Sequence, residues 1–277
     1  MFDVKILTIF PRIFDSFLAY GNPARAIEAG LMRVEAVDLR DFTDDRHRST
    51  DDYPFGGGTG MVMKPEPVVS GIRRLRGLMA DPKVILMTPQ GRPFNQVVAE
   101  ELAQLENVIL VCGRYEGIDE RIRHFVDDEI CVGDYILSGG ETAAMVLIDS
   151  VVRLIPGVIG SDSHIEGESF YVGLLEYPQY TRPRVFEDLQ VPEVLLEGHH
   201  EKIRRWRKKQ ALARTIARRP DLLKGRIPDA EEEKLLGEIH SEISSGLTEK
   251  NDDEHAGTDS EGTNEAGPPG FSERGHA

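Results

Sequence analysis

The chain has 277 residues, enough for one large domain or two modest ones with a substantial core. No stretch approaches roughly 18 uninterrupted apolar residues, which argues against a membrane-spanning helix, and a formal net charge of −15 argues at first sight against a polyanionic partner. The two cysteines, Cys112 and Cys131, sit in apolar runs and form no C-x-x-C unit, as expected for buried reduced thiols of a cytoplasmic protein without structural zinc.

Residues 4–10 read as a first strand, with neither a cationic segment before it nor a small-residue cleavage site, so the beginning is not a secretory leader. Pro11 opens a helix, where a missing N–H costs nothing. A short helix over 24–29 stops at Gly30, and 31–39 alternates as a second strand. From Arg40 to Gly60 periodicity is lost, and a polar loop of that length inside a compact domain is functional or disordered. It carries Arg46, His47 and Arg48 beside Asp51 and Asp52, groups suited to phosphate, metal or a base, or simply to a salt-bridged surface. No Lys-Ser or Lys-Thr follows Gly60 and no helix opens among the glycines, so this is neither a Walker A loop nor a dinucleotide fingerprint.

Residues 66–79 form an amphipathic helix, 84–88 a buried strand ended by Pro89-Gln90-Gly91, and 95–105 a helix with Asn95 as its N-cap. Two glycine-punctuated exits follow. The first apolar run ends in Cys112-Gly113-Arg114-Tyr115-Glu116-Gly117, the second in Cys131-Val132-Gly133, with Gly139-Gly140 shortly after. Apolar runs of about five residues that stop at glycine are parallel strands opening at the carboxyl edge of a sheet, where ligands sit. Ser138 to Glu141 also has capping-box spacing, and on that reading these residues only start the helix over 142–154, stopped by Pro156-Gly157. Strands alternating with helices over 1–158 indicate an α/β fold with a parallel sheet.

Residues 160–168 are small and polar, a linker or lid in which His164 is a solvated side chain. Pro178, Pro183 and Pro192 pace an extended connection into a helix over 199–219, in which Ile203, Trp206, Ala213 and Ile216 recur at helical spacing. Trp206 is either the anchor of a small helical domain or a platform for a base. Residues 201–219 hold 9 Lys and Arg against one acid, Glu201. A run so single-signed repels itself unless it faces a polyanion, and such a helix contacts phosphates without reading sequence. A last helix spans 229–244, and the chain beyond Gly246 has too little apolar surface to fold and reads as a disordered acidic tail. Residues 229–277 carry 14 acids and 3 bases, a net of −11, which leaves only −4 for everything before them. The global charge therefore does not exclude a nucleic acid.

The strings Cys112-Gly113-Arg114-Tyr115-Glu116-Gly117-Ile118-Asp119-Glu120-Arg121 and Gly133-Asp134-Tyr135-Ile136-Leu137-Ser138-Gly139-Gly140-Glu141 resemble the signature of the bacterial tRNA (guanine-N(1)-)-methyltransferases, knotted SPOUT-superfamily enzymes that use S-adenosyl-L-methionine. The resemblance covers nearly all of 1–245, including the stretch from Arg40 through Gly60-Met61. It implies a parallel-sheet domain over 1–160 with a trefoil knot, a linker or lid over 161–176, an all-α tRNA-binding domain over 177–245 and a tail over 246–277. It implies methyl transfer to N1 of the guanosine at tRNA position 37, 3′ of the anticodon, by a homodimer with a composite site. A Mg²⁺ dependence is carried over as an expectation, although no ligand set stands out.

By the same resemblance the cofactor is held around Leu86, Met87, Thr88 and Pro89, around Gly113, Tyr115 and Gly117, and around Val132, Gly133, Asp134, Tyr135, Ile136, Leu137, Gly139 and Gly140. The family's base is an Asp before Ser-Phe, paired with an Arg ahead of the Pro-Gly helix end. Here these positions are Glu168, a departure one methylene longer, and Arg153, with Glu116 assisting and Asp162 as the nearest fallback. The tRNA contacts expected are Arg46, His47 and Asp51 from the polar loop, and Arg204, Arg205, Arg207, Lys208 and Arg214 from the basic helix. Alternatives are the same fold acting at another RNA position, a non-catalytic RNA-binding protein, or a nucleotide enzyme built on Gly56 to Gly60.

Overall fold

The computed structural model describes residues 1–160 and 168–245. Asp162, His164, the first part of the expected linker (161–167) and the expected tail (246–277) lie outside the described residues. Two compact units are present: Met1–Gln179 with Arg214–Lys224, and Tyr180–Ala213 with the chain from Gly225.

In the first unit β1 (Phe2–Thr8) is followed by a 3₁₀ turn at Pro11–Phe14, α1 (Asp15–Leu18), α2 (Gly21–Glu28) and β2 (Met32–Asp38). A two-residue hairpin, β3 (Asp51–Asp52) with β4 (Val62–Met63), is the only regular structure in the long polar stretch after a 3₁₀ turn at Leu39–Phe42. Then come α3 (Pro65–Arg76), β5 (Lys83–Pro93), α4 (Gln96–Ala103), β6 (Asn107–Cys112), β7 (Asp128–Cys131) and α5 (Gly140–Val152). Asn95 caps α4 as its residue type dictates, its side chain accepting from Val98 N–H at 3.0 Å.

The five long strands form one parallel sheet in the order β2-β1-β6-β5-β7. Alternate residues point to opposite faces. Val108, Leu110 and Cys112 of β6 pack with Ala144, Leu147 and Ile148 of α5 on one face, while Ile109 and Val111 pack with Val68 and Ile72 of α3 on the other. Both faces are dry, which is why the strands read as continuous apolar runs.

One strand departs from expectation. Pro89 does not end β5; the register shifts between Met87 and Arg92, both opposite Ile130, and the strand resumes to Pro93. Proline cannot donate to the ladder, so residues 88–91 arch out and pairing restarts beyond them. At Gly91 a Cβ would lie 2.4 Å from the backbone of Glu129 and Ile130, so the arch closes only over glycine.

Residues 168–176, the second part of the expected linker or lid, hold hydrogen bonds within the segment and one to Thr215. Phe170 N–H donates to the Leu174 carbonyl (2.8 Å), Glu176 N–H to Ser169 Oγ (2.9 Å) and Leu175 N–H to Thr215 Oγ1 (2.9 Å), and Leu174 is buried.

In the second unit an extended connection contains a small hairpin, β8 (Val185–Phe186) with β9 (Leu189–Gln190). It leads into α6 (His200–Arg218), whose last residues from Arg214 belong to the first unit, and later α7 (Ala230–Ser244). Asp229 caps α7 in a full capping box with Glu232. Trp206 is half-buried with its ring 6.4 Å from that of Tyr180. No helix among the described residues is long and apolar enough to cross a membrane.

Candidate active site

The carboxyl ends of β5, β6 and β7 open onto a cavity of ≈ 420 Å³, within the range of small-molecule and cofactor sites. Its walls are residues 86–89 where β5 arches, 113–118 after β6, and 130–133 with 135–140 between β7 and α5. Every residue expected to hold the cofactor lines it except Asp134. Asp134 is exposed in a turn closed by Tyr135 N–H on the Gly133 carbonyl (2.9 Å). Arg114, Ile118, Ile130, Cys131, Ser138 and Ala143 line the cavity without having been singled out. Arg114, Ile118 and Ser138 lie inside the two quoted strings, which was the available signal.

The two glycine loops form one floor because their backbones touch. Gly140 N–H donates to the Gly113 carbonyl (2.8 Å), and Arg114 bridges Gly139 in antiparallel fashion. A Cβ on Gly140 would sit 2.8 Å from Cys112 Cα and 3.1 Å from Gly113 N, backbone that cannot yield. The capping-box alternative for Ser138 is also corrected. Gly139 occupies the N-cap of α5 with no side-chain cap, and the Glu141 carboxylate turns inward, accepting from Thr8 Oγ1 (2.7 Å) and Arg114 Nε (3.0 Å). Burial pushes the Cys112 thiol well above its usual range, and the nearby Glu141 carboxylate adds to the rise, so this cysteine is inert core beneath the floor.

The polar loop reaches this floor through its backbone. Glu116 N–H donates to the Met61 carbonyl (3.1 Å), Met63 N–H to Gly117 (3.0 Å) and Asp119 N–H to Met63 (3.0 Å). This places Asp51, at the start of β3, beside the Tyr115 phenol; burial raises that phenol's pKa and the Asp51 charge raises it further. Glu116 lines the cavity, with Gly60 packed against its side chain. Arg46 and His47 are exposed, in a turn where Asp45 accepts from His47 and Ser49 N–H groups, both at 2.9 Å.

Arg153 and Glu168, linked in the sequence only by resemblance, meet in space: Arg153 Nη2 lies 2.5 Å from Glu168 Oε1. The pair is half-exposed and is not part of the lining of its own chain's cavity.

The basic helix is not left without counter-charge. Arg204 pairs with Glu231 (2.6 Å) and Glu201 (2.7 Å), Arg205 with Glu238, Lys208 with Asp229 (2.8 Å) and Glu231 (3.0 Å), and Lys209 with Glu242 (2.5 Å). The premise that the run needs an external polyanion is therefore corrected, because α7 supplies the acids. Arg204 and then Lys208 hold the Glu231 carboxyl down to about 2. Arg214 is half-buried in the first unit. Among the described residues no group of three or more His, Cys, Asp or Glu is placed to hold a metal ion.

A family model described as tRNA (Guanine-1)-methyltransferase TrmD matches residues 2–225. A tRNA (guanine-N(1)-)-methyltransferase from Dictyoglomus turgidum is 50% identical over 243 residues, 88% of this chain and 98% of that protein. Proteins of the same name from Geotalea uraniireducens and Thermotoga petrophila are 54% and 48% identical, covering 84% and 87% of this chain and 95% and 98% of their own.

Proposed function

Because the chain belongs to the tRNA (guanine-1)-methyltransferase family, we propose that it transfers the methyl group of S-adenosyl-L-methionine to N1 of a guanosine in tRNA, namely position 37 beside the anticodon. What carries the reading is that the two strings bearing the family resemblance fold into the two walls of one glycine-floored cavity. The cavity fits the cofactor in size, and its floor at Gly113 and Gly140 is bare main chain that approaches a flat nucleoside where a side chain would block it. When bound, the cofactor supplies a methyl already activated on a sulfonium, with S-adenosylhomocysteine as the leaving group.

The chain's own task is to make guanine N1 nucleophilic and to align it. N1 carries a proton at neutral pH. Glu168 takes that proton onto its carboxylate, and the charge that builds toward O6 meets the guanidinium of Arg153, already held against Glu168. Glu116, on the cavity wall, orients the purine from the other side. The position of the Arg153–Glu168 pair away from its own chain's cavity lining supports a homodimer in which each copy completes the other's site. The trefoil knot belongs to the same reading, supported by the return of the chain after β7 to bond Gly113 and Arg114. So do a tRNA-binding role for the helical segment 177–245 and action in the cytoplasm. Glu116 is the cavity-wall carboxylate that would hold a Mg²⁺ ion, whose charge would steady the purine as it loses its proton; metals of this kind keep one or two carboxylates and several waters.

The deciding experiment is labelled-methyl transfer to unmodified tRNA transcripts with G or A at position 37. Incorporation on the G transcript alone is expected; equal incorporation on both would place the reaction at another position. Calorimetry with S-adenosyl-L-methionine separates the non-catalytic alternative, which predicts no heat of binding.

A further inference from the structure

Behind the cavity wall lies a buried polar chain that the reaction itself does not use. Thr8 at the end of β1 and Glu141 at the start of α5 are both buried, at 0% and 1% exposure. Thr8 Oγ1 accepts from Phe10 N–H (2.9 Å) and donates to Glu141 Oε1 (2.7 Å); the other carboxylate oxygen accepts from Arg114 Nε (3.0 Å). Arg114 stacks over the Phe10 ring at 4.5 Å, and its own N–H donates to Met63 Sδ at 3.1 Å. A Cβ on Gly139 would fall 2.4 Å from Arg114 Nε and 2.6 Å from Glu141 Oε2, so this residue must be small for the ion pair to close.

A carboxylate withdrawn from water is costly unless its charge and lone pairs are met, and here a guanidinium, a hydroxyl and the first turn of α5 meet them. The pair therefore holds its geometry rather strictly. Arg114 immediately precedes Tyr115, which stands in the left-handed region at φ +62° and lines the cavity with Glu116 and Gly117. Nothing in the side chain of Tyr115 favours that conformation, so the segment depends on its neighbours to stay there.

We propose that Thr8 and Glu141 are positioning residues for the cofactor: acting through Arg114, they clamp the 113–117 wall to the 133–140 wall and hold the cradle at its binding width without touching the ligand. This rests on the reading of the cavity as the S-adenosyl-L-methionine site. Loss of the clamp widens the cradle and weakens cofactor binding, while the Arg153–Glu168 pair, which it does not contact, keeps its chemistry.

The test compares wild type with Glu141→Gln, Thr8→Val and Thr8→Ser. Titration calorimetry with S-adenosyl-L-methionine gives Kd, steady-state kinetics on tRNA transcripts give KM for each substrate and kcat, and thermal melting controls for folding. Glu141→Gln and Thr8→Val are expected to raise the cofactor Kd and KM about tenfold, the scale of one hydrogen bond to a charged group. The KM for tRNA and kcat should stay within about twofold, and Thr8→Ser, which keeps the hydroxyl, should restore wild-type affinity. Folded variants with unchanged cofactor Kd, or a fall in kcat with Kd unmoved, would overturn the proposal. If Glu141→Gln does not fold, the Thr8 pair of variants decides alone. Absence of binding by wild type would instead overturn the reading of the cavity, so the two failures are distinguishable.

Discussion

At Gly140 a single missing methyl group decides whether two walls can meet. An alanine there would press its Cβ onto Cys112 Cα at 2.8 Å and Gly113 N at 3.1 Å, both of them backbone. Gly140→Ala should destabilise the chain by about 1–3 kcal/mol, the usual cost of overpacking, and weaken cofactor binding together with it. Chemical denaturation and calorimetry on the same preparation check both effects. Glu168 makes the opposite kind of case, since its side chain is partly exposed and paired with Arg153. Glu168→Gln should lower kcat by roughly 10²–10⁴-fold, as removal of a general base does, with cofactor Kd nearly unchanged. Wild-type turnover in that variant would remove Glu168 from the mechanism. The extra methylene relative to the family's Asp is accommodated, because the carboxylate still reaches Arg153.

Among the elements, α6 and α7 form a pair held by charge as much as by apolar contact. Leu212, Leu235 and Ile239 are buried, and around them four cations of α6 meet acids at the start of α7 and along it. Arg204 draws Glu231 down to about 2, Lys208 lowers Asp229, and Arg205 lowers Glu238. A carboxyl whose folded pKa is depressed stabilises the fold above its unfolded pKa and loses that contribution as pH falls through the folded value. For Glu231 the window runs from its ordinary 4.5 down to about 2. Trp206 is the only tryptophan and lies in α6, so its fluorescence should change across that window, and added salt should shift the change to higher pH. A Glu231→Gln variant with an unaltered acid transition would show that these pairs are solvent-screened ornaments. Asp229→Ala, which removes the cap, should lower the stability seen in the same assay.

For the whole molecule the question is whether one chain suffices. Glu168 and Arg153, the proposed base and its partner, are not in the lining of the cavity of their own chain. Mixing Glu168→Gln with Gly140→Ala, at a cofactor concentration too low to fill the weakened Gly140→Ala cradle, should restore activity if sites are shared between copies. In the mixed dimer one site combines an intact cradle with an intact Glu168. Random exchange would return about a quarter of wild-type activity, since half the dimers are mixed and each has one good site. A site contained within one chain would return none. Charge at this scale also needs rereading, because α6 spends much of its positive charge on α7 before any RNA arrives. The salt dependence of tRNA binding should accordingly be shallower than nine cations would give.

The sequence by itself determined the parallel α/β sheet, the order of its strands and helices along the chain, the glycine exits of β6 and β7, and the family. Those features are written in local periodicity, in residues that tolerate unusual backbone, and in contiguous strings such as 112–121 and 133–141. Only the tertiary structure decided the rest. The arch in β5 depends on which neighbour the strand finds after Pro89, and the inward turn of Glu141 on Thr8, 133 residues away. The lacing of the polar loop to 116–119 and the neutralising of α6 by acids 21 to 33 residues downstream are contacts between distant segments. Spacing along a chain says which face a side chain is on; what stands opposite that face is set by packing, and a charge or a capping carboxylate takes its role from that neighbour.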